Sequence, residues 1–544
     1  MPEVLPTALR LRQPSLLLKC AVVLAISAGA AFAAPPPKTP SVRSLQLNLP
    51  AQSRVPYKAS GLKGEVTLDP KLLLQLVLAH SAEIKFSKVQ IDIATELSAA
   101  EAALYEATFF TALHKDGGPR QRTVEERIAS TSTANVTVLH ENVKSIESGI
   151  KDRLPSGGDV SLSYLLRERR NNLIATAAPS DTEYNGSVVL SVKQPLLKGF
   201  GRSVVETDLR VSRAEKEISV LQYQQQIMKT CNDALGVYWQ LYRALEVRRI
   251  REQALDYARQ VSNDTTARID AGKLPGSNLI EAKAAVLLRE VEKIRADQGV
   301  REAQIRLQTL LNISSLEESG LTLVVREGGA DLSHVKLGSA EERYRRSLET
   351  WPALQIAKLR GEQAGMRLAF ARNQTLPTMD LLLSRTYTGL ASDNQDARQL
   401  ATHNKYAEWS VGINIEIPLE GNQKARSQYR AQLARVAQAQ IELDSIYNSL
   451  ANDIRAKLDA ATAGREEVER STEDVEVRGR ILSIEKYRYD SGLGLLAQLL
   501  QREAELSESR QRLVESNARL GQANDALLFA DGSLLREYGI TVKE

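Results

Sequence analysis

Long stretches of this chain place apolar or small residues three and four positions apart. From Ser203 to Asp270 they fall at Ala214, Ile218, Leu221, Met228, Cys231, Leu235, Tyr238, Tyr242 and Leu245, then at Ile250, Ala254, Tyr257 and Val261. That is the spacing of an amphipathic helix. No proline lies between Pro195 and Pro275, so one helix of roughly 100 Å is predicted at 1.5 Å per residue. A second stripe starts near Gln423 and runs through Leu433, Val436, Leu443, Tyr447, Leu450, Ile454, Leu458 and Ala461 to Tyr489. Helices this long need lateral partners, because helical stability comes mostly from packing.

Two stretches interrupt these stripes in the same manner. Arg268-Ile-Asp-Ala-Gly272-Lys-Leu-Pro-Gly-Ser-Asn278-Leu-Ile-Glu281-Ala-Lys-Ala284 aligns without a gap with Arg488-Tyr-Asp-Ser-Gly492-Leu-Gly-Leu-Leu-Ala-Gln498-Leu-Leu-Gln501-Arg-Glu-Ala504. Arg, Asp, Gly, Leu279/Leu499 and Ala284/Ala504 coincide. A glycine that closes one helix in the left-handed conformation, followed by a fresh helical pattern, is a helical hairpin tip. Pro275 suits the first turn of the outgoing helix, where a missing N–H costs little. Shorter stripes follow each tip, one through Ile280, Ala284, Leu287, Val291, Ile294, Ile305, Leu307 and Leu311, the other to about Ala530. Two tips mean a duplicated architecture.

Between the helices the period changes to two. Val160, Leu162, Tyr164 and Leu166 alternate with polar residues, as do Val188, Leu190 and Val192. The clearest strand carries Trp409, Val411, Ile413, Ile415 and Ile417 on one face and Ser410, Gly412, Asn414 and Glu416 on the other, and Pro418 ends it. Gly117-Gly118-Pro119, Gly157-Gly158 and Asn171-Asn172 read as turns. The predicted organisation is a leader at 1–34, a Pro-rich linker at 35–66 and a first repeat at 67–314 with a strand pair within about 109–195. A connector at 315–338, a second repeat at 339–531 with a strand pair within about 377–418, and a tail at 532–544 complete it. Each repeat opens with a helix: Leu68-Asp69-Pro70 starts one that is expected to run unbroken to about Thr108. Leu348–Ile356 superposes on Leu78–Phe86 at a constant offset.

Composition narrows the function. Aromatic residues are only 5% of the 544-residue chain, which fits Ala-rich packed helices. The net charge of +4 is about halved without Arg10, Arg12, Lys19 and Glu3, and leaves no basic block for nucleic acid. Arg10, Arg12 and Lys19 precede an apolar run from Cys20 to Ala33, and Ala31-Phe-Ala33 fits a small-x-small cleavage pattern: a secretory leader. Cys231 then stands alone, a small buried hydrophobe in expectation. His80, His114, His140, His334 and His403 have no metal-ligand spacing, and neither a nucleophile elbow nor a P-loop occurs. No catalytic residue, cofactor or metal is expected, and no enzyme.

Strands with one apolar face suit a two-layer sandwich or a membrane barrel. About four good strands alternating with very long helices are too few for a sandwich. They are also too few for a barrel from one chain, since the smallest outer-membrane barrels use about 8. Several copies must pool strands, because open edges are not tolerated in lipid.

These features together resemble the TolC-type outer-membrane efflux proteins, from about Leu68 to Asp531. The resemblance rests on the paired tips, on Gln194-Pro-Leu-Leu-Lys-Gly-Phe-Gly201, on Ile417-Pro-Leu-Glu-Gly421 and on Arg372-Asn-Gln-Thr-Leu-Pro377. It implies a mainly α homotrimer with a helical tunnel across the periplasm and a shared 12-stranded barrel in outer-membrane lipid, four strands per chain. It implies tips that dock a periplasmic adaptor (membrane fusion) protein through Ala271, Gly272, Lys273, Ser491, Gly492 and Leu493. An inner-membrane pump or ABC exporter supplies the energy in a tripartite efflux or type I secretion system. Tyr489 matches a gate tyrosine. Where relatives often carry acidic residues this chain has Gln498 and Gln501, with Asn278 and Glu281 in the first tip, so a cation-binding aperture is not expected of the amides. The competing reading is a periplasmic coiled-coil adaptor or scaffold without a channel; two hairpins and lipid-compatible strands speak against it.

Overall fold

The computed structural model describes residues 64–128, 135–173, 182–312, 321–325, 337–403 and 405–540. The leader and most of the linker lie outside the described residues. The described residues open with β1 (Gly64–Leu68), α1 (Pro70–His80) and α2 (Ala82–Ala102). Next come β2 (Thr108–Gln121), α3 (Val124–Ile128), β3 (Val138–Arg153), β4 (Asp159–Asn171) and β5 (Thr182–Pro195). Helices α4 (Arg202–Val205), α5 (Thr207–Asp270) and α6 (Ser277–Leu310) follow, then β6 (Leu321–Val325). The second repeat has α7 (Ala340–Thr350), α8 (Pro352–Gln374), β7 (Thr378–Ala391), α9 (Asn394–Thr402), β8 (Ala407–Glu416), α10 (Gln423–Asp490) and α11 (Leu496–Ala530), with α12 (Leu534–Glu537) last.

Two units are distinct, one bearing the six-stranded sheet (Ala102–Glu206 and Phe370–Arg426) and one made of helices with the short β1–β6 pair. In the strand unit β2-β3-β4-β5-β7-β8 form one antiparallel sheet in that order. The expected strand pair within 109–195 is therefore four strands. β2 is hidden in the sequence by Gly117-Gly118-Pro119, a turn signal through which the strand runs straight. In this edge strand Pro119 is tolerated, since one side of the strand has no partner to satisfy. At the other end, β8 stops at Glu416, so Ile417 lies one residue beyond it.

In the helical unit α5 spans 64 residues and α10 spans 68. The largest apolar core gathers Leu73, Leu74 and Val77 of α1 with Leu235, Tyr238 and Trp239 of α5, Leu307 of α6 and Val514 of α11. Leu534 of the expected tail is fully buried in it. Gly521 of α11 faces Trp239 so closely that an added Cβ would lie 2.2 Å from the indole. Only a glycine admits that approach. Trp239 Nε1 donates to Asp525 Oδ2 at 2.8 Å, and Tyr538 Oη donates to Oδ1 at 2.7 Å.

Three expectations change here. β1 pairs in parallel with β6, so the linker ends before Gly64 and its last residues are a strand. The opening helix is broken at Ser81, and the second repeat breaks at Trp351, the equivalent position at the offset noted above. Pro352 explains the second break, because the residue before proline avoids the helical region. At the first, Ser81 caps the outgoing helix, its hydroxyl accepting from Ile84 N–H at 3.5 Å, with Glu83 in the first turn. Pro275 lies outside α6, whose first helical residue is Ser277.

Candidate functional site at the paired helical tips

Both tips close by the same local chemistry. At the first, Lys273 N–H donates to Arg268 O (2.8 Å) and Gly272 N–H to Ile269 O (2.8 Å). At the second, Leu493 N–H donates to Arg488 O (2.8 Å) and Gly492 N–H to Tyr489 O (3.0 Å). This is the Schellman arrangement, which satisfies the last helical carbonyls and requires a left-handed residue. Gly272 and Gly492 supply it, with φ of 70° and 77°. Ala271, Gly272, Lys273, Ser491, Gly492 and Leu493 are all exposed.

The two tips are tied to one another inside the chain. Arg268 donates to Asp490 Oδ1 at 2.8 Å and to Tyr489 O at 3.3 Å, and its guanidinium lies 4.8 Å from the centre of the Tyr489 ring. Tyr489 is buried against Val261, Ala282, Leu496 and Leu499, with its hydroxyl 3.3 Å from Thr265 Oγ1. Sequence reasoning singled out Tyr489 but missed Arg268, Thr265 and Asp490 as its partners. The repeated Arg-x-Asp was visible, and served only as a mark of duplication. Its two copies behave differently: Arg268 crosses to the other tip, whereas Arg488 turns to Glu485 on its own helix (3.2 Å).

A charged layer sits further along the same helices. Arg289 pairs with Glu503 (2.9 Å) and Glu292 (2.8 Å), and Arg251 reaches Glu292 (3.3 Å). Burial works against the Arg289 charge, but Glu292 and Glu503 hold it and raise its pKa. Burial pushes the Glu503 carboxyl above the usual carboxylate range, with Arg289 opposing. No sequence signal separated these residues from solvated helix charges.

The expected aperture residues are not gathered into one cluster by the single chain. Glu281, Gln498 and Gln501 are exposed and Asn278 is half-buried; Gln501 donates to Glu505 on its own helix (3.1 Å).

The strand unit carries the remaining residues singled out in the sequence, and is described by itself. Trp409, Val411, Ile413 and Ile415 stand on one face of β8 and are exposed, Trp409 by 77%. At the foot of the sheet the motifs behind the resemblance meet. The Asn373 side chain donates to Leu197 O (3.1 Å) and accepts from Gly199 N–H (2.7 Å), and Asn422 donates to Gln374 O (3.2 Å). These bonds pin the strand-to-helix turns of both repeats to one shared junction, Asn373–Gln374, where α8 gives way to β7.

The profile of the family described as outer membrane efflux protein matches residues 158–312 and 344–533. The chain belongs to that family. The efflux protein is 22% identical over 343 residues to the outer membrane efflux protein BepC of Brucella suis, across 61% of this chain and 67% of that one. It is 21% identical to protein CyaE of Bordetella pertussis, across 68% and 74%. Its fold is similar to that of the Campylobacter jejuni CmeC outer membrane channel, with a TM-score of 0.60, 13% identity and 86% of each chain covered. The efflux protein is thus an outer-membrane protein, and the family is one of channels. Membership removes the reading as a periplasmic adaptor or scaffold.

Proposed function

We propose that the efflux protein is the passive exit duct of a tripartite efflux or type I secretion system. Three copies pool their strands into one barrel in outer-membrane lipid and their helices into a periplasmic tunnel. One observation carries this reading: the sheet is apolar on one face, polar on the other and unpaired at both edges. Such a sheet is stable in lipid only when copies close it. The long helix α10 adds support, since Leu433, Ile441, Val477, Ile481, Ile484 and Tyr487 along it remain exposed in the single chain. A second copy of this chain covers them.

The exposed tip residues from Ala271 to Lys273 and from Ser491 to Leu493 dock a periplasmic adaptor. An inner-membrane pump or ABC exporter behind the adaptor supplies the energy. The Arg268–Tyr489–Asp490 tie holds the tips together, and breaking it widens the aperture. Gln498, Gln501, Asn278 and Glu281 come together only around the threefold axis. The duct needs no catalytic residue and no cofactor.

Purified protein inserted in planar bilayers tests the reading. Discrete conductance steps from a detergent-stable trimer are expected; a monomer without conductance would refute it. A Gln498→Asp, Gln501→Asp variant tests the aperture separately. Divalent cations are expected to block it more strongly than the parent. Equal block would remove those two positions from the pore lining.

A further inference from the structure

We infer that each copy contributes six strands to the membrane wall, so that three copies close an eighteen-stranded barrel by pairing β8 of one with β2 of the next. This rests on the trimeric duct proposed above, and departs from the four strands per chain implied by family resemblance.

The pairing register carries the argument. One row of neighbours runs Phe109–Ile150–Leu162–Leu190–Arg385–Trp409 across all six strands. Five of the six are large and apolar, and Arg385 turns its guanidinium over the Tyr387 ring at 5.3 Å. The next row, on the opposite face, runs Thr108–Lys151–Ser161–Ser191–Ser384–Ser410 and is polar throughout. The lipid-compatible face therefore does not stop at β4. It continues over β3 and β2, where Phe109, Leu113 and Ile146 are exposed, Leu113 by 73%. A hairpin lying outside the membrane has no reason to keep the apolar face in phase with β4 and β5.

A twelve-stranded wall would also need a free edge on β4. It has none: β3 pairs with it from Glu141–Asn171 to Arg153–Asp159. The β3–β4 turn is fastened as well, with Gly201 N–H on Ser156 O (3.0 Å) and the Ser156 hydroxyl donating to Gln194 Oε1 (2.6 Å). The open edges of the sheet are β2 and β8. With six alternating strands these two run in opposite directions, so closure between copies is antiparallel, as in single-chain outer-membrane barrels. Pro119 does not prevent it, because it lies beyond the apolar stretch Phe109–Leu113. Barrel diameter grows roughly linearly with strand number, so this wall is about 1.5-fold wider than a twelve-stranded one.

Cysteine pairs test the closure in the full-length protein in outer membranes. Ser410→Cys is combined in turn with Thr108→Cys, Phe110→Cys, Ala112→Cys or His114→Cys on β2, and in a parallel set with Ser161→Cys, Ser163→Cys or Leu165→Cys on β4. The native Cys231 is buried and burial pushes its thiol up to about 12, so it does not compete. Oxidation is expected to give covalent trimers, three times the chain mass, from at least one β2 pair. Trimers from the β4 set, or from neither set, would overturn the six-stranded closure. The mass of the untreated protein in detergent separates the two readings: a trimer that links through β4 leaves the duct standing, whereas a monomer removes both.

Discussion

The two longest helices, α5 and α10, are nearly equal in length, carry the same apolar spacing and end in the same glycine turn, yet they meet different surroundings. α5 buries Leu235, Tyr238, Trp239, Leu241, Ile250 and Val261 within its own chain. α10 buries Leu450, Ile454, Ala461 and Tyr489, and leaves Ile441, Ile484 and Tyr487 open, Tyr487 by 74%. Duplication produced two equivalent elements, of which one lies largely buried in the chain while the other keeps much of its apolar stripe exposed. An apolar stripe specifies burial without specifying which chain supplies the cover.

The largest expected effect sharpens this contrast. Trp239→Ala removes a buried ring and the Asp525 hydrogen bond and should cost the chain about 4 kcal/mol, read as a lowered midpoint of thermal unfolding. Ile484→Ala should change chain stability by less than about 0.5 kcal/mol but weaken the trimer, read by dilution and native mass. Equal effects of the two on chain stability would break the comparison.

Asp525, beside Trp239, gives a pH signature for the α5 core. Burial raises its carboxyl to about 6, with Tyr538 and Trp239 opposing. The folded state then binds this proton more tightly than the unfolded state, from which 3.8 is the ordinary value. Its contribution is full below the unfolded value and lost as pH rises through about 6, by about 3 kcal/mol. Midpoints measured from pH 4 to pH 7 should fall more for the parent than for Asp525→Asn. Parallel pH curves would contradict this.

At the tips the contrast is smaller. Arg268→Ala loses the Asp490 pair and the Tyr489 ring contact, about 1 kcal/mol, and should raise single-channel conductance. Arg488→Ala, with its partner on the same helix, should change stability by about 0.5 kcal/mol or less and leave conductance unaltered. The smallest difference is expected between Gly272→Ala and Gly492→Ala. Each forces a side chain into the left-handed region at about 1 kcal/mol, so their melting shifts should match; unequal shifts would show that the tips are not equivalent.

Much of the fold was legible in the sequence. Helix period, the paired Arg-x-Asp-x-Gly turns and the alternation of Trp409 to Ile415 are local patterns imposed by backbone geometry. The four-stranded first region was less so. β2 carries Gly117-Gly118-Pro119, and a turn signal in an edge strand is outweighed by eleven other ladder positions along its partner. The breaks at Ser81 and Trp351 differ in how strongly they are marked: Pro352 forces one, whereas a capping serine with Glu83 two residues on is a weaker signal for the other. Arg289 and Glu503 look like any helix-face charges until a third helix covers them.

By itself the sequence determined the repeat, the long helices, the glycine tips and the strand faces, because each follows from short-range spacing and from which residues tolerate water. Tertiary structure alone decided that the α5 stripe is covered while much of the α10 stripe stays open, that Arg268 rather than Arg488 ties the tips, and that β3 occupies the edge of β4. Those choices depend on which surfaces meet across hundreds of residues, and the period of a side-chain pattern carries no information about its partner.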